Sequence, residues 1–82
     1  MAKSIVVRAT WDEEARVWVA TSDDVPGLVA EAESQELLQQ KLLVLIPELL
    51  EENNVRIDDE FAEVPLFVMS EQLTKVRTRS AA

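Results

Sequence analysis

Carboxylates are almost the only side chains in this sequence that could do chemistry. Its 82 residues include 16 Asp and Glu but neither Cys nor His, so there is no thiolate nucleophile, no imidazole base and no soft metal ligand. Zinc-finger, iron–sulfur and catalytic-triad chemistry are therefore excluded. A two-metal nuclease would remain, because it needs only three or four carboxylates that converge on Mg²⁺ from strands and a helix.

The carboxylates do not follow that pattern. Half of them cluster in three segments rich in turn-forming residues, at 12–14, 23–24 and 58–60. Acids in turns are usually solvated and serve turn formation and solubility. We therefore predict that the protein is not an enzyme and that it binds no metal or other cofactor.

The charge is strongly negative and unevenly distributed. The formal net charge is −8; residues 1–63 carry 15 acidic and 5 basic side chains, whereas residues 64–82 carry 1 acidic and 3 basic. An acidic domain repels nucleic acid and favours a basic partner. Neither a membrane-spanning apolar run nor a signal peptide is recognisable, so we expect a cytoplasmic protein without membrane contact.

The change of charge divides the chain into a domain at 1–70 and a basic tail at 71–82. In the tail, Lys75, Arg77 and Arg79 alternate with uncharged residues. This is typical either of the solvent side of a short strand or of a frayed terminus. We do not expect the tail to bind DNA. An alternative is that the tails of two subunits are exchanged as a ribbon within a dimer.

Alternation of side-chain types predicts three strands in the first part of the chain. They cover residues 4–11, 16–22 and 28–33. The segment 12–15 should form a hairpin loop on a type I turn, since it contains no glycine. Before the third strand, Pro26 and Gly27 predict a type II turn.

The period then changes to that of a helix. Ser34 is a good N-cap, so the helix should begin at Gln35, and the pair 53–54, two asparagines, is a natural stop. Pro47 should either kink this helix or begin a separate short one. One face carries the apolar stripe that would cover the sheet: Leu38, Leu42, Leu45, Ile46 and Leu49.

A fourth strand is predicted at 64–69, with Pro65 at its start or on an edge because proline cannot donate to a ladder. The fold class is therefore α+β in the order β-β-β-α-β: a three-stranded antiparallel meander, one long helix packed on the sheet and a fourth strand. The helix has more apolar residues than one sheet needs, which predicts either a dimer contact or a second layer from the C-terminal segment. We expect a homodimer or higher homo-oligomer, with the interface at Leu43, Val44, Leu50, Leu66 and Val68.

The two tryptophans are ambiguous. Trp11 ends the first strand and Trp18 lies within the second, and the alternation places them on opposite faces. Both could serve the core, or one could be exposed as an anchor for a partner, since aromatic side chains concentrate binding energy. Trp18 is the candidate anchor.

Four motifs in this order resemble the HicB-type antitoxin domains of a compact subgroup. They are Trp-Asp-Glu-Glu at 11–14, Trp-Val-Ala-Thr-Ser at 18–22, Asp-Val-Pro-Gly-Leu at 24–28 and Leu-Ile-Pro-Glu-Leu-Leu at 45–50. The resemblance spans about residues 4–70 and implies a truncated ribonuclease-H-like fold without nuclease activity. It also implies a HicA-like partner, which is a small basic toxin that cleaves messenger RNA.

We therefore expect an antitoxin-like binding protein that masks the RNA-binding surface of such a toxin. Acids near the second turn would substitute for phosphates and speed encounter by electrostatic steering. The candidate partner-binding residues are Trp18, Asp23, Asp24, Glu31 and Glu33.

The chain departs from the family pattern at its C-terminal side. Many such antitoxins carry a helix-turn-helix or ribbon-helix-helix module for operator DNA, but only 13 residues follow Met69, too few for a helix-turn-helix. The alternative function is a stand-alone oligomeric module with neither a toxin nor catalysis.

Overall fold

The computed structural model describes residues 4–54 and 63–79. Their elements are β1 (Ile5–Asp12), β2 (Val17–Thr21), β3 (Val29–Ala32), α1 (Gln35–Glu52) and β4 (Leu66–Glu71). The strands form one sheet in the order β3-β2-β1-β4, in which β1 pairs antiparallel with β2 and parallel with β4, and β2 pairs antiparallel with β3. The predicted α+β class and element order are confirmed.

The hairpin between β1 and β2 is shifted by one residue from its predicted position. Its loop is 13–16, and Asp12 still belongs to β1 and pairs with Val17. The Asp12 carboxylate accepts hydrogen bonds from the N–H groups of Glu14 and Ala15 at 3.0 and 3.1 Å. Arg16 takes the left-handed conformation, with φ of 61°, so this turn uses a positive φ without a glycine.

The predicted type II turn before β3 is present. The Leu28 N–H donates to the Val25 carbonyl at 3.2 Å, and Gly27 between them has φ of 79°, as the third position of such a turn requires. The Val25 side chain is fully buried. The turn is therefore anchored in the core at its first residue.

Helix α1 begins and ends where its capping residues predict. The Ser34 hydroxyl accepts a hydrogen bond from the Leu37 N–H at 3.1 Å, and Asn54 beyond the last turn has φ of 52°. Pro47 lies inside one continuous helix, so a separate second helix is wrong. The carbonyl that Pro47 cannot bond belongs to Leu43, and both residues are on the exposed side, where water can replace the missing N–H.

The core lies between α1 and one face of the sheet. Its helical side is Leu38, Leu42 and Ile46. In the sheet, three buried alanines are register partners across three strands: Ala9, Ala20 and Ala30. Helix α1 contacts β2 and β3. Small side chains in the sheet leave room for the leucines of the helix, and Leu38 and Leu42 are fully buried there.

Charged and polar side chains stay at the surface of the described chain. In residues 4–54 and 63–79, none of them is buried. No helix there has the length and apolar character to cross a membrane. The acidic segment predicted at 58–60 lies outside the described residues.

Candidate functional site

The face of the sheet opposite α1 is not covered by any described part of the chain. We call it the open face. Its large apolar side chains include Phe67 and Met69, which are 56% and 55% exposed, together with Val29, which is 67% exposed. Phe67 and Met69 lie together on β4, whereas Val29 lies on the other edge strand, beyond Thr21 and Arg8. Adjoining exposed apolar side chains often mark a docking site. In the order β3, β2, β1, β4, the open face consists of Val29 and Glu31; Val17, Val19 and Thr21; Val6, Arg8 and Thr10; and Phe67, Met69 and Glu71.

Charged side chains lie on both edge strands of the open face and, at Arg8, on its central strand β1. Glu31 on β3 and Glu71 on β4 lie at opposite ends of one register row, which passes through Val19 and Thr10. Arg8 lies 3.6 Å from the Glu71 carboxylate, measured from its Nε, and both side chains are largely exposed. An exposed pair of this kind contributes little to stability. Its charges are accessible to a partner.

Asp24 has a structural role that the sequence reasoning missed. Pairing of β2 with β1 ends at Thr21 and Arg8, so the backbone of Val6 lies beyond the ladder. The Asp24 carboxylate accepts from the Val6 N–H at 2.8 Å, and the Ser22 hydroxyl donates to the Val6 carbonyl at 2.7 Å. These two hydrogen bonds take the place of those that a longer β2 would make with the backbone of Val6. A Ser-x-Asp sequence directly after a strand was the signal that could have shown this.

We expect Asp24→Ala to lower the free energy of unfolding by about 1.5 kcal/mol, since a hydrogen bond to a charged group is lost. Asp23→Ala is the matched control, because Asp23 is exposed and such changes usually stay within about 0.5 kcal/mol. Urea denaturation measures both variants, and amide exchange at Val6 should accelerate only in the first. Equal stabilities of the two variants would show that Asp24 does not hold β1.

The tryptophans lie on the same face, so the prediction of opposite faces is wrong. Because the hairpin loop is 13–16, Trp11 and Trp18 are register partners, with ring centroids 5.4 Å apart. Trp18 is only 8% exposed and belongs to the core. It is therefore not an exposed anchor; the half-buried ring of the pair is Trp11.

Trp11 forms part of a hollow at the hairpin end of the sheet, which sequence reasoning also missed. Its indole Nε1 donates to the Glu13 carboxylate at 2.7 Å. The Arg16 guanidinium lies 3.5 Å from the other oxygen of that carboxylate and 5.9 Å from the centre of a Trp11 ring. The hollow is lined by Thr10, Trp11, Asp12, Glu13, Glu14 and Val19. Since Thr10 and Val19 also belong to the open face, the acidic hollow adjoins the apolar surface.

The remaining predicted site residues divide between the surface and the core. Asp23, Glu31 and Glu33 are exposed. Of the predicted oligomer interface, Leu43 and Val44 are exposed, whereas Leu50, Leu66 and Val68 are partly buried and pack against the core. The sequence reasoning therefore selected the inward residues of β4. The outward apolar residues of that strand are Phe67 and Met69.

No group of three or more acidic side chains within residues 4–54 and 63–79 is placed to hold a metal ion. Among the acids of the hairpin hollow, Asp12 accepts from two backbone N–H groups, and Glu13 binds an indole and a guanidinium. The open face combines exposed apolar side chains with carboxylates at its border.

These features define a small α+β domain with one covered and one open sheet face. The chain belongs to the family described as domain of unknown function (DUF1902), which matches residues 4–80. It is similar to the crystal structure of the hypothetical protein TTHA1013 from the extremely thermophilic bacterium Thermus thermophilus, with 46% sequence identity, coverage of 93% of this chain and 100% of that chain, and a TM-score of 0.70. No curated protein matches the chain.

Proposed function

We propose that this protein is a non-catalytic binding protein that neutralises a small basic RNA-cleaving toxin by covering the toxin's RNA-binding surface. The resemblance to HicB-type antitoxins suggests this partner. The observation that carries the proposal is the open face, where exposed Phe67 and Met69 lie beside carboxylates at the sheet border.

The chemistry of the partner supports the same surface. A protein that binds RNA needs cationic side chains on that surface, because phosphate contacts supply most of the affinity. Glu31 on β3 and Glu33 just after it are exposed, and the hairpin hollow adds the Glu14 carboxylate. These charges would occupy the toxin's cations in place of phosphates, and apolar contacts at Phe67 and Met69 on β4 would slow dissociation.

The structure changes the set of residues assigned to this contact. Trp18 is buried and the Asp24 carboxylate binds the Val6 N–H, so neither belongs to the proposed surface. Asp23, Glu31 and Glu33 remain, since all three are exposed. Phe67 and Met69 replace Trp18 as the apolar anchors.

The first experiment is to purify the tagged protein from its native host at low salt and to identify small co-purifying proteins by mass spectrometry. The proposal expects a basic polypeptide that is released by raised salt and whose ribonuclease activity is suppressed by this chain. Recovery of the chain alone as a defined oligomer, across growth conditions, would instead favour the stand-alone module.

The charge contribution has its own test. The double variant Glu31→Lys with Glu33→Lys should slow association with that toxin about tenfold or more and weaken its dependence on salt, because steering is lost. The control is Glu48→Lys with Glu51→Lys, which makes the same change of charge on the exposed side of α1. If both double variants slow association equally, the effect comes from net charge and the β3 edge is not the contact.

A further inference from the structure

The chain leaves the sheet after β4 as an arm that extends from the body. In this C-terminal arm, residues 72–79, every residue is exposed, and Leu73 and Val76 are 88% and 81% exposed. The structure measures 61 × 26 × 19 Å with a radius of gyration of 16.3 Å, against about 12 Å for a compact chain of this length. Helix α1 is only about 27 Å long, so the arm accounts for the long dimension.

The arm continues an edge strand. Among the described strands β4 pairs only with β1, which leaves its outer row of backbone N–H and C=O groups available. An edge of this kind pairs readily with another extended segment. Exposed apolar side chains on the arm itself give such pairing a further driving force.

Two copies of the segment formed by β4 and the arm have complementary side chains when they are paired antiparallel with Leu73 at the centre. Alternate residues share a face in an extended strand, so the open-face series of β4 continues into the arm: Phe67, Met69, Glu71, Leu73, Lys75, Arg77 and Arg79. Placing Leu73 opposite its own copy puts Glu71 opposite Lys75 of the second chain. It also puts Phe67 opposite Arg79 of that chain, which suits a cation–π contact.

The alternative registers are poorer. A shift of one residue pairs the open-face series of one copy with the core-face series of the other, which places their two open faces on opposite sides. A shift that places Lys75 on the axis sets two ammonium groups directly opposite each other, which is destabilising. The register about Leu73 places an apolar pair on the axis and opposite charges on either side of it.

We propose that two copies of this chain pair through β4 and the C-terminal arm, antiparallel, about a two-fold axis at Leu73. The arm of each copy then becomes the next strand of its partner's sheet, beside β4. This also brings the arm, with its Lys75, Arg77 and Arg79, against a body whose residues 1–63 carry 15 acids and 5 bases. The partner identified by this chemistry is a second copy, and the inference does not depend on the proposed toxin.

Single cysteines test the register directly, because the natural sequence has none. Leu73→Cys should form a disulfide-linked dimer under mild oxidation, since residues directly opposite in an antiparallel pair have Cα atoms about 4.5–5.5 Å apart. Gln72→Cys is the matched control: its two copies would be offset by about two residues and lie beyond the reach of a disulfide. Light scattering on the unmodified protein should give the mass of a dimer.

Charge exchange tests the pairing without a covalent bond. Glu71→Lys alone, or Lys75→Glu alone, should weaken the dimer about tenfold, because each change places like charges opposite each other twice in a symmetric dimer. The double variant should recover most of the lost affinity, because the cross-chain pair is restored and only the exposed contact of residue 71 with Arg8 of its own chain stays lost. A monomer at millimolar concentration, equal cross-linking at 72 and 73, or a dimer in which Leu73→Cys does not cross-link would each overturn the proposal.

Discussion

Replacement of Leu42 by alanine is expected to lower the free energy of unfolding by about 2–5 kcal/mol. The Leu42 side chain is fully buried, and α1 contacts β2 and β3, whose core residues near it are mostly alanines that cannot move in to fill a cavity. A domain of this size has a total stability of about 4–12 kcal/mol. Urea denaturation followed by circular dichroism should therefore show a much lower midpoint urea concentration. If the loss is at the high end of the range of about 2–5 kcal/mol, part of the variant should be unfolded even without urea.

The adjacent Leu43 provides the matched control. It lies in the same helix but is 60% exposed, so Leu43→Ala changes helix propensity equally and removes little buried surface. We expect a change within about 0.5 kcal/mol. Equal losses at the two positions would contradict the placement of the core on the Leu42 side. If the difference in free energy of unfolding between Leu43→Ala and the unmodified protein grows with protein concentration, the Leu43 side of α1 is an interface between copies.

Features set by nearby residues were predicted correctly from the sequence. The N-cap at Ser34, the glycine turn at Gly27 and the helix end at 53–54 each depend on a side chain or a φ value within a few positions. The change from a two-residue to a helical period likewise marks β1 to β3 and α1. Such signals are local in the chain, and a single sequence contains them in full.

Features set by pairing between distant segments were not predictable in the same way. The hairpin loop was displaced by one residue because Asp12 ends β1 and closes the turn with its side chain. This displacement changes the partner of Trp11 from Arg16 to Trp18, but a four-residue loop places both rings on one face in either position. The error on Trp18 therefore came from treating the alternation of each strand separately, without the pairing that relates the two strands. On β4, pairing with β1 likewise decides that Leu66 and Val68 face inward and Phe67 and Met69 outward.

The candidate site combines both kinds of information. Its acidic character was evident from composition, but which acids remain at the surface without a structural role depends on where β2 stops pairing with β1. Asp24 is drawn into that gap by the Val6 N–H, whereas Asp23 beside it is exposed. A list of acids near a turn therefore contains both structural and surface residues, and only the register separates them.

Replacement of Trp18 by alanine is expected to lower the free energy of unfolding by about 3–5 kcal/mol. Trp18 is 8% exposed in the core, and the change removes a large buried ring together with its contact to Trp11, whose centroid is 5.4 Å away. Denaturation followed by circular dichroism gives the loss, and the remaining tryptophan reports the transition by fluorescence.

Two comparisons separate this packing role from a direct role in binding. Trp11→Ala should cost less stability, because Trp11 is only half-buried. Trp18→Phe should recover much of the loss at that position, since a phenylalanine retains most of the apolar area. If Trp18 only packs in the core, the amount of partner bound by Trp18→Phe should rise in proportion to the fraction of that variant that is folded. A Trp18→Phe variant that is fully folded yet binds no partner would show that the indole itself makes the contact, and would restore Trp18 to the site.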